Sequence, residues 1–211
     1  MIVITGFIKS FHHLFPKHNN LLPWDITSNI TEIITALIAG LNDEYNIDSG
    51  IAIHKTAVVE AGAIIKGPVI IGTNCMVASN TYLRGGVYFA ENVKVGTGVE
   101  IKSSIIFSSS AIAHFNFIGD SIIGSHVNFE AGAITANHYN ERENKNIYVM
   151  HNSTTIDTGT SKFGALVGDH CKIGANAVLS PGTILPPGTI IKRLHLIDQL
   201  NQSAIDERMK K

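Results

Sequence analysis

The sequence predicts an all-β protein wound as a parallel β-helix, with one helix ahead of it and a short one after it. Two observations carry this reading: a large apolar residue recurs every six positions, and a small residue follows it four places later. The series opens with Ile53, Val59, Ile65, Ile71, Val77, Leu83, Phe89, Val95 and Ile101, and the small partners of the first eight are Ala57, Ala63, Val69, Cys75, Thr81, Val87, Val93 and Val99. It continues through Ile106, Ile112, Ile118, Ile123 and Phe129, with five-residue units led by Ile101 and Ile118. After a break it resumes at Val167, Ile173, Leu179, Leu185 and Ile191, partnered by Cys171, Ala177, Thr183 and Thr189. A six-residue period suits neither a 3.6-residue helix nor a long alternating strand, because the chain must turn every few residues. Three such units close one triangular coil. The large residue fills the prism, the small one fits near a corner, and stacked coils pair their backbones about 4.8 Å apart.

The flanks follow other rules. Residues 1–46 read as an N-terminal extension, 47–196 as the β-helix and 197–211 as a C-terminal helix. From Thr27 to Leu41, Ile30, Ile33, Ile34, Leu37, Ile38 and Leu41 recur at helical spacing, with Gly40 as a stop signal. That helix is expected to cover the open lower end of the β-helix. Residues 1–24 mix a short apolar run with His, Asn and Pro, and no role is assigned to them. Residues 138–166 leave the rhythm and read as a protruding loop, with a hairpin built on NIYVM and TTID. Leu194, Ile197, Leu200 and Ile205 suggest the C-terminal helix.

Composition excludes several classes. Sixteen Lys and Arg against seventeen Asp and Glu leave no field that would draw in nucleic acid or a membrane surface. No apolar run approaches the length that spans a bilayer. The opening MIVITGFIKSFHHLF lacks the charge and the cleavage pattern of a secretory signal. Two cysteines, Cys75 and Cys171, are too few for a disulfide framework and both fall on inward positions, so a reduced cytoplasm is expected.

The period also places outward side chains. Every third unit returns to the same face, so Lys66, Arg84 and Lys102 form one column. Like charges one layer apart repel by about 1 kcal/mol in water. Such a column suits a bound anion, although a solvated polar face reads equally well. His114 falls next to a corner on the adjoining face, Asn137 returns to the column's face, and Asn128 ends its unit before a corner. An exposed histidine on a repeat protein is commonly a surface residue.

Several stretches then resemble a known family. "YLRGG", "VEIKSS", "AHFNFIGDSIIGSHVNFEAGAITAN" and "SKFGALVGD" are similar to the acetyltransferase half of the bifunctional glucosamine-1-phosphate acetyltransferase and N-acetylglucosamine-1-phosphate uridyltransferase, and to archaeal sugar-phosphate nucleotidyltransferases. The similarity runs from about residue 53 to 185. It implies a left-handed coil and a cytoplasmic homotrimer, serving UDP-N-acetylglucosamine synthesis, with the site in a cleft between neighbours. It implies acetyl-CoA as co-substrate and an amino-sugar phosphate as acceptor. His114 would be the general base and Asn137 would help position acetyl transfer. Arg84, Lys102, Asn128 and Lys162 would hold the phosphosugar, with Phe117 where the family has a tyrosine. Ala131 and Ala175 would meet the cofactor. Glu130 replaces a glycine, and the last coils end early in "LPPGTIIKRLH", so part of the pantetheine cradle is missing or rebuilt.

The chemistry suits these groups. An amine attacking a thioester must lose a proton, and imidazole, with an ordinary pKa of about 6.5, accepts one near neutrality. No uridyltransferase activity is expected, since that half needs a glycine-rich phosphate loop opening a large βαβ domain. A metalloenzyme of the trimeric carbonic anhydrase kind is one alternative: His114, His126 and His138 are evenly spaced. Unit counting puts them on three faces, however, and no His-x4-His pair occurs, so no metal is expected. A non-catalytic phosphosugar-binding protein is the other alternative.

Overall fold

The structure, a computed structural model, describes residues 2–200. A six-residue unit leaves room for a strand of two or three residues before its turn, and the chain uses that room to build three faces. The first face stacks Ile51–His54, Val69–Ile71, the second halves of Tyr82–Phe89 and Glu100–Ile106, then Ile122–Ile123, Ala165–Val167 and Thr183–Leu185. The second runs from Val58–Val59 through Met76–Val77, Lys94–Val95, Ala111–Ile112, Asn128–Phe129 and Lys172–Ile173 to Ile190–Ile191. The third holds Ile64–Ile65, the first halves of the two long strands, Phe117–Gly119, Ile134–Thr135, Val178–Leu179 and Leu196–Ile197. Every pairing within a face is parallel. This is the expected β-helix.

The inward residues are those the period marks. Leu83, Phe89, Ile101, Ile112, Phe129, Ile173 and Leu179 form one apolar column through the prism, with Cys75, Val93, Val99, Cys171 and Ala177 at its tight corners. Thr135 breaks the column, and its buried hydroxyl has no hydrogen-bond partner among the described residues. Corners demand left-handed backbone. At the edge between second and third faces that conformation falls on Asn80, Gly98, Phe115, Gly132, Asn176 and Leu194. Asn and Gly adopt it at little cost, whereas a bulky side chain there stores on the order of 1–3 kcal/mol.

The N-terminal extension corrects the expectation. Helix α1 spans Phe11–Leu14, α2 Pro23–Ser28 and α3 Ile30–Ile38, so the single helix expected over 27–41 is split at Asn29. It lies along the flank of the first face instead of across the lower end. Outward side chains of that face, Ala52, Ile70, Ile105, Ile122, Leu166 and Ile184, pack with Ile8, Phe11, Phe15, Trp24, Ile26 and Ile34 in a second core. Residues 1–24 thus gain a role: they cover a sheet surface too apolar to face water. The lower end is met by Tyr45–Asp48, which pairs antiparallel with Ile51–His54.

The loop also departs from expectation. Tyr148–His151 and Thr154–Asp157 do form an antiparallel hairpin, turned by Asn152 and Ser153, both with positive φ. Yet it folds back instead of protruding, because Ile147 and Val149 join the second core. The expected C-terminal helix lies largely outside the described residues.

Candidate functional site

The predicted site residues other than Asn128 gather at the two long edges of the third face. At the edge shared with the first face, Arg84 stands beside Lys102 in adjacent strands, as the period requires. The column is not bare. Arg84 Nε donates to Glu100 Oε1 at 2.8 Å and its Nη2 lies 2.7 Å from the same oxygen. Lys102 Nζ donates to both carboxylate oxygens of Asp120, at 3.0 and 2.7 Å, and this pair is largely shielded from solvent. Arg84 and Lys102 are therefore each matched by a carboxylate one coil on, whereas the Lys66 ammonium lies over the Tyr82 ring.

Asn137 joins this cluster one layer higher. Its Nδ2 donates to Asp120 Oδ2, and its Oδ1 faces His138 Nδ1 at 3.2 Å. Phe117 leans over the same spot. A Cβ placed on Gly119 would meet Phe117 Cζ at 2.8 Å and Asn137 Nδ2 at 2.8 Å, so only glycine lets ring and amide approach. Lys162, arriving from the loop, shares with Asp120 and Ser103 a cleft of about 260 Å³.

The edge shared with the second face holds the other half. His114 is exposed there, and above it stand Ala131 and Ala175: Gly132 N donates to His114 O at 2.9 Å and Asn176 N to Ala131 O at 3.0 Å. Glu130 Oε2 accepts the Ala175 N–H at 2.9 Å and is gripped by Arg193, Nε at 2.8 Å with Nη2 on Oε1 at 2.8 Å. Glu60 caps the Ser79 N–H in the same way lower down. Beneath Ala131 the equivalent residue is Ala113, which has no acceptor, and the Ala131 N–H makes no hydrogen bond among the described residues. An unpaired backbone donor thus sits one layer above the imidazole.

Within one chain the two clusters stay apart. His114 stands at the corner that precedes Phe117–Gly119, whereas Lys102 pairs with Gly119 at the far end of that strand. Asn128 belongs to neither, lying outward on the second face beside Lys172. His114, His126 and His138 stand at three different corners, and His126 stacks on His170 with ring centroids 4.9 Å apart. Among the described residues no three His, Cys, Asp or Glu side chains are placed to hold a metal ion.

Sequence reasoning missed Asp120, Glu100 and Arg193. Asp120 was within reach, since it follows Lys102 by eighteen residues, one coil of the repeat. Arg193 was not, because its partner lies sixty-three residues away across the loop.

A three-faced prism wound from six-residue units, with stacked polar edges, defines a structural class, the hexapeptide-type parallel β-helix. Residues 68–103 and 164–189 match the family described as the hexapeptide repeat of succinyl-transferase. The chain is similar to the bifunctional protein GlmU of Methanococcus maripaludis, 38% identical over 182 residues that cover 83% of this chain and 43% of the relative. It is also similar to a bifunctional sugar-1-phosphate nucleotidylyltransferase/acetyltransferase of Sulfurisphaera tokodaii, 39% identical over 80 residues, 37% of this chain and 19% of that one. The chain spans less than half the length of these relatives. Among solved structures, a hexapeptide transferase family protein of Anaplasma phagocytophilum superposes with a TM-score of 0.36 at 20% identity, covering 77% of this chain and 89% of that one. No helix of the described residues is long and apolar enough to cross a membrane.

Proposed function

We propose that the protein is an acetyl-CoA-dependent N-acetyltransferase acting on an amino-sugar phosphate, with His114 as general base. One observation supports this above the rest: an accessible imidazole directly below the unpaired Ala131 N–H. In the reaction the amine nitrogen bonds to the thioester carbonyl carbon while the imidazole takes its proton. The carbonyl electrons move onto oxygen, where the Ala131 N–H donates to the oxyanion. Collapse breaks the C–S bond, and the CoA thiolate recovers the proton from the imidazolium. Arg84, Lys102 and Lys162 hold the phosphosugar, Phe117 bounds it, and Asn137 orients the transfer, while Asn128 can reach it only from another copy's second face.

The separation of the two edges supports a homotrimer in which one copy's Lys102 edge faces another's His114 edge. Along the His114 edge Phe115, Leu194 and Leu196 are bare, at 68%, 78% and 64% exposure, which suits burial against a neighbour. The same reading gives the protein a place in the supply of UDP-N-acetylglucosamine, in the cytoplasm; the name of one relative, a sugar-1-phosphate nucleotidylyltransferase/acetyltransferase, supports the sugar-phosphate and acetyl-transfer parts of it.

The test is direct. His114→Ala is expected to lower acetyl transfer to glucosamine 1-phosphate by about 10²–10⁴-fold; a loss of only a few-fold refutes the assignment. A second reading, a non-catalytic phosphosugar-binding protein, draws on Glu130, whose carboxylate holds the Ala175 amide that a pantetheine chain would need. Calorimetry with acetyl-CoA separates them, since the second reading predicts no binding.

A further inference from the structure

The cleft holding Lys162 has a wall that none of the bifunctional relatives' names accounts for: the N-terminal layer. Its floor is Asp120 and Ser103, both buried, at 6% and 7% exposure. One side is Lys162 and Ser161 from the loop, and the opposite side is Ser28 and Thr31, from the end of α2 and the start of α3. Asp120 is already engaged by Lys102 and Asn137, and Ser103 Oγ donates to Gly85 O at 2.8 Å. By contrast, the hydroxyls of Ser28, Thr31 and Ser161 and the Lys162 ammonium make no hydrogen bond or ion pair among the described residues. The layer can stand this close because of Gly86: a Cβ there would meet Ile30 Cγ2 at 2.8 Å and Thr31 N at 3.2 Å.

One unpaired cation beside three unpaired hydroxyls recognises an anion attached to a polyol. The cleft's volume of about 260 Å³ falls just under the ~300–1,000 Å³ of pockets for drug-sized ligands, which suits one sugar ring. We infer that Ser28 and Thr31 are specificity-determining residues: they bind the sugar hydroxyls of a monosaccharide phosphate whose phosphate pairs with Lys162. This rests on the reading of the acceptor as an amino-sugar phosphate and adds that the chain's own N-terminal layer selects it.

The experiment is calorimetry on the full chain with glucosamine 1-phosphate, glucose 1-phosphate and inorganic phosphate as probes. The Ser28→Ala/Thr31→Val double variant is expected to bind both sugar phosphates about tenfold more weakly, the worth of two lost hydroxyl contacts, with phosphate binding unchanged. Lys162→Ala is expected to weaken all three. Unchanged melting temperatures show that the variants fold, and both hydroxyl positions are exposed. Sugar-phosphate binding within two-fold of wild type in the double variant overturns the inference, as does wild-type protein that binds sugar phosphates no better than phosphate. Hydroxyl-dependent binding without acetyl transfer overturns the acetyltransferase reading alone.

Discussion

Glu130 shows how one side chain can decide whether a backbone donor is available. Its carboxyl is held below the usual glutamate range, first by the Arg193 hydrogen bond and then by the Ala175 amide. A depressed value means the contact is complete above the ordinary glutamate pKa and is lost as pH falls through the lowered one. Amide exchange followed by NMR should therefore find Ala175 protected and Ala131 unprotected at neutral pH, with Ala175 protection lost in strong acid or in Glu130→Ala. The pair Lys102–Asp120 behaves differently because it is shielded. Asp120→Ala leaves an ammonium without its carboxylate and Asn137 without its acceptor, so urea unfolding should show a loss of about 3–5 kcal/mol. Cys75 reports on the core: burial pushes its thiol up to about 11. Native protein at pH 8 should resist thiol reagents, and the stabilisation from that thiol fades as pH rises from about 9, its unperturbed value, toward 11.

The docking of α3 depends on a corner that carries no side chain. Gly86 has φ +90° and faces Ile30 and Thr31, so Gly86→Ala adds both backbone strain and a clash. The expected cost is about 1–3 kcal/mol, read as a lower urea midpoint. This docking was partly legible. The first face reads as unbroken apolar triplets, Val69-Ile70-Ile71 and Ala165-Leu166-Val167, and an unbroken triplet marks a strand covered on both sides. The second face exposes its outward positions, with Asn128 and Lys172 beside each other. What the pattern could not show was which segment does the covering, since amphipathic spacing in α3 fits a flank as well as an end.

The assembly is where the proposed chemistry stands or falls. If the His114 edge is buried against a second copy, sedimentation should give a trimer, and Phe115→Asp should yield monomers that keep their fold but lose acetyl transfer. Phe115 suits this test because it is an exposed aromatic in left-handed backbone whose ring lies against Gly98. Mixing His114→Ala with Lys102→Ala protein should restore part of the activity if the two edges meet between copies.

The six-residue period by itself determined the coil, the inward column and the stacking of Arg84 on Lys102, because each depends only on residues a fixed number of positions apart. The resemblance carried by local motifs supplied the candidate roles of His114, Asn137 and Lys162. Only the tertiary structure decided the flank that the N-terminal layer covers and the Glu130–Arg193 clasp across the loop. Those contacts join segments whose separation in sequence follows no period, so shape and packing, and not spacing, select the partners.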